Sequence, residues 1–206
     1  MHVLLVFDHP YGAEAFDNVP NRRSLSAAML AAAQTGLDSA GHSSDTVDLV
    51  AEGFDPVLSA DDLRAWRTGT PGRPDVQRLQ DRVAAADHIV FVFPTWWMSM
   101  PAATKGFLDR VLTRGFAFEE PRPGGALVRT LHRLRGVTVL TAMTTPGPVY
   151  RAWFGRPAQR ILADGTFRLI GIRRIRWIAI DRSTQRGALR RERALARITR
   201  RFAALH

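Results

Sequence analysis

The chain has 206 residues and a mass of 22.9 kDa, enough for one sizeable core and short for two, so a single domain over 1–206 is expected. Its 46% apolar and 23% charged residues describe a soluble globular protein, and the lack of cysteine excludes disulfides, thiolate metal sites and catalytic thiols; no metal site is expected. The net charge of +10 is unevenly placed: residues 151–206 hold 15 arginines against Asp164, Asp181 and Glu192, whereas the first 150 residues are near neutral and Lys105 is the only lysine.

The chain opens on strand-like HVLLVF without a basic leader, and no apolar run is long enough to span a membrane, so a cytoplasmic protein is expected. Val3 to Phe7 is apolar throughout, as a strand covered on both faces is. His9-Pro10 and a long polar loop follow. Ser24 is a fair N-cap for a helix whose apolar positions run from Leu25 to Leu37 and which Gly41 ends. Thr46 to Val50 reads as a second strand. Residues 51–75, rich in proline and glycine, read as a long connection with at most a short helix around Asp61 to Trp66.

Val76, Leu79, Val83 and Ala86 mark a helix before the strand His88 to Phe93. After the loop 94–100, Pro101 opens a helix of about 101–113, and GFAFEEPRPGG reads as a hairpin-like excursion. Gly136 to Ala142 is a further strand, ending in TTPGP. A helix around 149–163, a strand around 173–180 and a helix of roughly 184–204 complete the chain, the last with Leu195, Ile198, Phe202 and Leu205 on one stripe. Its arginines fit a solvated helix face better than a nucleic-acid or cofactor-phosphate site, since nothing aromatic or glycine-rich accompanies them from 181 onward; no specific nucleic-acid partner is expected.

Five strands alternating with five helices predict an α/β fold, an open parallel sheet with helices on both faces. In such sheets ligands sit at the carboxyl ends of the strands. The loops 8–24, 94–100 and 143–149 fall there. The first joins a strand to a helix start bearing Ser24 and Ser26, preceded by Asn21, Arg22 and Arg23; it reads equally well as a phosphate cradle and as an ordinary cap with solvent-facing arginines. No GxGxxG or GxxxxGK[ST] is present. The second supplies Pro94, Thr95, Trp96, Trp97 and Met98, a flat aromatic surface beside backbone amides that suits a planar ring system, or simply core tryptophans. The third offers Thr144, Thr145 and Gly147 close to Tyr150, or a plain turn.

The stretch FPTWWMSMPAATKGFLDRVLTRGFAF resembles the signature of the flavodoxin-like NAD(P)H:quinone oxidoreductases, a family that includes modulators of drug activity and potassium-efflux ancillary proteins. HPY, the Ser-x-Ser segment, DLVAEGFDPVLSADDL and TT-x-G with a following tyrosine are further marks of it. The resemblance implies a flavodoxin-like open five-stranded parallel sheet in the order 2-1-3-4-5, a bound FAD or FMN, NAD(P)H as co-substrate, a quinone or other electron-poor aromatic as acceptor, and a homodimer. The connection 51–75 and the excursion 115–125 are candidates for the subunit contact.

Carried onto this chain, the resemblance puts His9, Ser24 and Ser26 along the flavin's phosphate or adenosine part. It puts Pro94, Thr95, Trp96, Trp97 and Met98 around the isoalloxazine, Thr144, Thr145 and Gly147 at its pyrimidine edge, and Tyr150 on the substrate side, with Arg156 beside it. Three departures stand out: an insertion at 12–21, Pro146 in place of the first glycine of the usual TTGG, and Arg156 where some members have a histidine. A flavin-binding regulatory subunit of a transport protein, without significant turnover, is the rival expectation.

Overall fold

The computed structural model describes residues 1–17, 24–70, 72–185 and 187–206. Strands β1 (His2–Phe7), β3 (His88–Pro94) and β6 (Gly136–Ala142) are almost wholly buried, which is why their sequences do not alternate. They form the middle of a five-stranded parallel sheet ordered β2-β1-β3-β6-β7, with β2 (Ser43–Asp48) and β7 (Ile175–Ile180) at the edges. This is the expected 2-1-3-4-5 order once the small antiparallel hairpin of β4 (Phe118–Glu119) and β5 (Val128–Arg129) is set aside.

Alternate side chains of each strand feed two apolar layers. Val3, Leu5, Phe7, Val90 and Val92 meet α1 (Leu25–Ser39) and α7 (Ala188–Ala203) on one face. Leu4, Val6, Phe91, Phe93 and Val139 meet α3 (Pro74–Ala85), α4 (Ala102–Val111) and the helical segment with Leu162 and Phe167 on the other. The approach of α1 to α7 depends on Gly36, where a Cβ would stand 2.3 Å from the Thr199 carbonyl oxygen. The buried apolar stripe of α7 is Leu195, Ile198 and Phe202, as its spacing predicts.

Three boundaries differ from expectation. β2 starts at Ser43 rather than Thr46: it is an edge strand with Val47 its sole buried residue, so its apolar signal is thin, and pairing with β1 from His2↔Ser43 to Phe7↔Asp48 sets its limits. The single helix expected at 149–163 is broken. α5 (Gly147–Ala152) ends before Gly155 and Arg156, both in left-handed conformation at φ 67 and 56, and α6 (Pro157–Gln159) restarts on proline and runs into a π-helical turn, Arg160–Arg168. The last helix is shorter than expected at both ends, at Ala188–Ala203.

The long connection after β2 is tied down by one side chain. Arg110 of α4 has no exposed side-chain surface; it bonds Asp62 at 3.1 Å and Asp75 at 3.2 Å, donates to the Asp55 carbonyl, and lies 5.4 Å from the centre of the Phe54 ring. Asp62 belongs to α2 (Ala60–Thr68), where it forms a capping box with Ser59. Burial pushes the Asp62 carboxyl up, but its bonds to Ser59 and Arg110 outweigh this and hold it below the usual carboxylate value.

His88 is a buried histidine at the start of β3, bonded through Nε2 to Thr138 Oγ1 at 2.9 Å. Burial, with Arg176 and Arg174 nearby, lowers its pKa from 6.5 to about 4. The neutral ring is the folded form, so its contribution is complete above pH 6.5 and is lost as pH falls toward 4. The full shift corresponds to about 3 kcal/mol. Denaturant midpoints between pH 7 and 4 are expected to fall more steeply for the wild type than for His88→Gln, which keeps a partner for Thr138 but takes up no proton.

Candidate functional site

Four strand ends define the site. β1 leads into His9, β3 into Pro94 to Met98, β6 into Met143 to Gly147, and β7 into Asp181 and Ser183. Between them lies a cleft of about 370 Å³, within the range of small-molecule sites. Of the residues expected there, His9, Ser24 and Ser26 line one side, Pro94, Thr95, Trp96 and Trp97 another, and Thr144 a third. Leu25, Ala142, Met143 and Ser183 line it as well. Thr145 joins the second and third loops by pointing its hydroxyl at the Met98 sulfur, 3.8 Å away.

The first loop is held from below. Asp48, at the end of β2, accepts the Ala13 amide at 3.0 Å, and the first turn after His9 is closed by the Tyr11 amide on His9 Nδ1 at 3.0 Å. Burial lowers the pKa of His9, opposed by the Tyr11 carbonyl oxygen 3.3 Å from Nδ1 and by Asp8 and Asp48. Ser24 is the N-cap of α1, its hydroxyl accepting the Ala27 amide at 3.1 Å. Among the described residues the Leu25 and Ser26 amides have no hydrogen-bond partner, so the positive end of a four-turn helix opens onto the cleft. Asn21, Arg22 and Arg23, and the part of the 12–21 insertion beyond Asp17, lie outside the described residues.

The second loop is a tight two-residue turn. Trp96 and Ser99 exchange both backbone bonds, at 3.0 and 2.8 Å, and Trp97 and Met98 between them have φ of 47 and 62. Such a turn suits Asn-Gly; two bulky residues held in left-handed conformation cost about 1–3 kcal/mol each. The geometry leaves the Trp97 and Met98 amides without a partner among the described residues and leaves Trp97 99% exposed. Met98→Gly is expected to stabilise the ligand-free protein by about 1 kcal/mol in thermal or denaturant melts, since glycine relieves the left-handed strain.

In the third loop the Thr144 and Thr145 amides are likewise unbonded among the described residues, while Pro146 has none to offer. The Gly147 amide is engaged: it donates to Asp181 Oδ2 at 2.7 Å. Gly147, Tyr150 and Arg156 line a neighbouring cleft of about 490 Å³, which shares Met143 with the first. Tyr150 is 3% exposed. Burial pushes its phenol up, and the Gln159 and Ala158 amides and the Arg156 charge oppose the shift.

Sequence reasoning did not single out Asp8, Asp181 or Ser183. Asp8 is buried at the end of β1 and accepts both the amide and the hydroxyl of Thr104, at 2.6 and 2.7 Å, tying the first loop to the start of α4. Burial raises its pKa, and the two Thr104 bonds counter this. The position of Asp181 directly after the last strand was a usable signal, because the rule that drew attention to the other strand ends applies to β7 as well.

A family model described as flavodoxin-like fold matches residues 1–205. A Haemophilus influenzae protein called an uncharacterized NAD(P)H oxidoreductase is 43% identical over 72 residues, which is 35% of each chain. Rat NAD(P)H dehydrogenase [quinone] 1 is 34% identical over 117 residues, covering 47% of this chain and 41% of that protein. The match thus spans well under half the length of these curated relatives. Among solved structures, the NAD(P)H:quinone oxidoreductase of Methanothermobacter marburgensis superposes with a TM-score of 0.83 at 25% identity, over all of this chain and 96% of that one.

Proposed function

The chain belongs to the flavodoxin-like fold family, and from that premise we propose that it is a flavin-dependent NAD(P)H:quinone oxidoreductase, acting on quinones or related electron-poor aromatics. One observation carries the reading: three loops surround one cleft, and among the described residues each has a pair of unbonded amides, at Leu25 and Ser26, at Trp97 and Met98, and at Thr144 and Thr145, with Met98 and Thr145 next to the lining and the other four in it. Unpaired donors on rigid strand ends are what a polar-edged, phosphate-bearing ring system needs, and the residues present fit a flavin.

When bound, the flavin supplies hydride transfer, accepting it from NAD(P)H and passing it to the quinone, which a solvent proton completes to the hydroquinone. The chain's part is positioning. In this reading the start of α1 and Ser26 meet the phosphate next to the flavin, a contact common to FAD, our first choice, and FMN. Trp96, Trp97, Pro94 and Thr95 wall the ring, with the strained turn pre-setting its two amides. The Thr144 and Thr145 amides serve the ring edge where negative charge develops, in place of Gly147, which Asp181 holds. Tyr150 and Arg156 stand on the acceptor side, where Arg156 contributes fixed positive charge rather than a proton.

The reading includes a homodimer and a cytoplasmic protein. Trp97, in the cleft lining, is 99% exposed and Trp153, at the end of α5, 83% exposed, and we take these as stronger candidate contacts than the 51–75 and 115–125 segments. No helix among the described residues is long and apolar enough to cross a membrane. The relatives reported above are named for oxidoreductase activity and do not support the regulatory-subunit alternative. The test is NADPH oxidation by the flavin-loaded protein with a benzoquinone: one hydroquinone per NADPH is expected, and no turnover with either FAD or FMN would overturn the proposal.

A further inference from the structure

The second cleft is a groove along the free edge of β7, closed by α5 on one side and α7 on the other. Arg151, Arg156, Arg197 and Arg201 line it, and no Asp or Glu does. None of the four has an ion-pair partner among the described residues. Arg197 and Arg201 stand one turn apart on the same side of α7. Asp181, held on the Gly147 amide, stands near Arg151 at one end, so the four guanidiniums leave an excess of positive charge whose mutual repulsion a ligand with several negative charges relieves.

Tyr150 and Trp177 also line the groove, but the phenol oxygen and the indole nitrogen are enclosed by protein, and among the described residues neither has a hydrogen-bond partner. Recognition of a charged ligand there therefore falls to the arginines.

Met143 lines both clefts, so the two adjoin, and a molecule whose reacting end lies on the flavin would cross Met143 to reach the groove. The flavin's own phosphate is accounted for on the opposite side, at the start of α1. Resting on the oxidoreductase reading, we propose that the groove receives the phosphate end of NADPH: Arg151 and Arg156, beside the junction, face the pyrophosphate, and Arg197 and Arg201, further along α7, face the 2′-phosphate. NADH lacks that last group, and the two α7 arginines make the protein selective for NADPH.

The test compares wild type with Arg197→Gln/Arg201→Gln, exposed positions on α7 away from the flavin cleft. Wild type should favour NADPH over NADH in kcat/KM by about tenfold or more, the scale of one charge-assisted contact. The variant should lose that preference through NADPH alone, with NADH turnover unchanged. In calorimetry on the flavin-loaded protein, adenosine 2′,5′-bisphosphate should bind more tightly than 5′-ADP to wild type and equally weakly to the variant. Equal use of both nucleotides by wild type, or an equal fall with both in the variant, overturns the proposal. Selective binding of the 2′,5′-bisphosphate without turnover of either nucleotide would support the groove and sink the oxidoreductase reading.

Discussion

Arg110→Met is expected to destabilise the protein by about 3–5 kcal/mol, the cost of breaking a buried ion pair from one side. Methionine fills much of the volume and keeps the contact with Phe54. It leaves Asp62, which is 6% exposed, without its guanidinium, and it strips the Asp55 carbonyl of its donor. The damage should concentrate in the connection from Phe54 to Asp75, which is also anchored by Phe54 packing on Phe107 and by the close contact of Pro56 with Gly106, where a Cβ would come within 2.4 Å of the Pro56 Cα. Lysine should rescue little, because one ammonium cannot reach Asp62, Asp75 and a carbonyl in the planar arrangement the guanidinium uses. Thermal and urea melts read the effect: a fall of about 10 °C or more is expected for a chain of this size, and a loss below about 1 kcal/mol would contradict the account.

Ser26→Asp separates folding from ligand binding. A carboxylate in the first turn of α1 interacts favourably with the helix dipole, which offsets much of the cost of burying it at a position 2% exposed, so stability should change by no more than about 2 kcal/mol. The same carboxylate occupies the place proposed for the flavin phosphate. It replaces charge-assisted bonds from the helix start with repulsion, a change of about 3–5 kcal/mol when each such bond is worth 1.5–3 kcal/mol. The variant should therefore purify as a well-folded, colourless protein with flavin affinity reduced at least about a hundredfold, as fluorescence-quenching titration would show. Wild-type affinity in this variant would place the phosphate elsewhere.

The sheet was legible because its central strands are covered on both faces: runs such as LLVF and IVFVF admit few other readings. β2 was displaced by three residues because an edge strand carries one buried side chain, and its ends are fixed by the neighbour rather than by its own pattern. The break at Gly155-Arg156-Pro157 was written in the sequence as a stop and a restart, yet the apolar spacing on either side ran through it. Of the site, the residues at strand ends were readable by type and position. What those positions do was not: the left-handed turn at Trp97-Met98 carries no glycine to announce it, and the engagement of the Gly147 amide depends on Asp181, 34 residues away. The arginines of α7 read as a solvated face, and Arg190, Arg193, Arg197, Arg200 and Arg201 are exposed; that Arg197 and Arg201 also line a groove with Tyr150 and Trp177 depends on other elements and left no local pattern.

The central claim is that three pairs of free amides around one cleft hold a flavin. Its most direct test is an absorption spectrum of the purified protein after incubation with FAD or FMN and removal of excess flavin. The account predicts a retained, stoichiometric flavin band that NADPH bleaches in the absence of oxygen and a benzoquinone restores; a folded protein that retains neither flavin would contradict it.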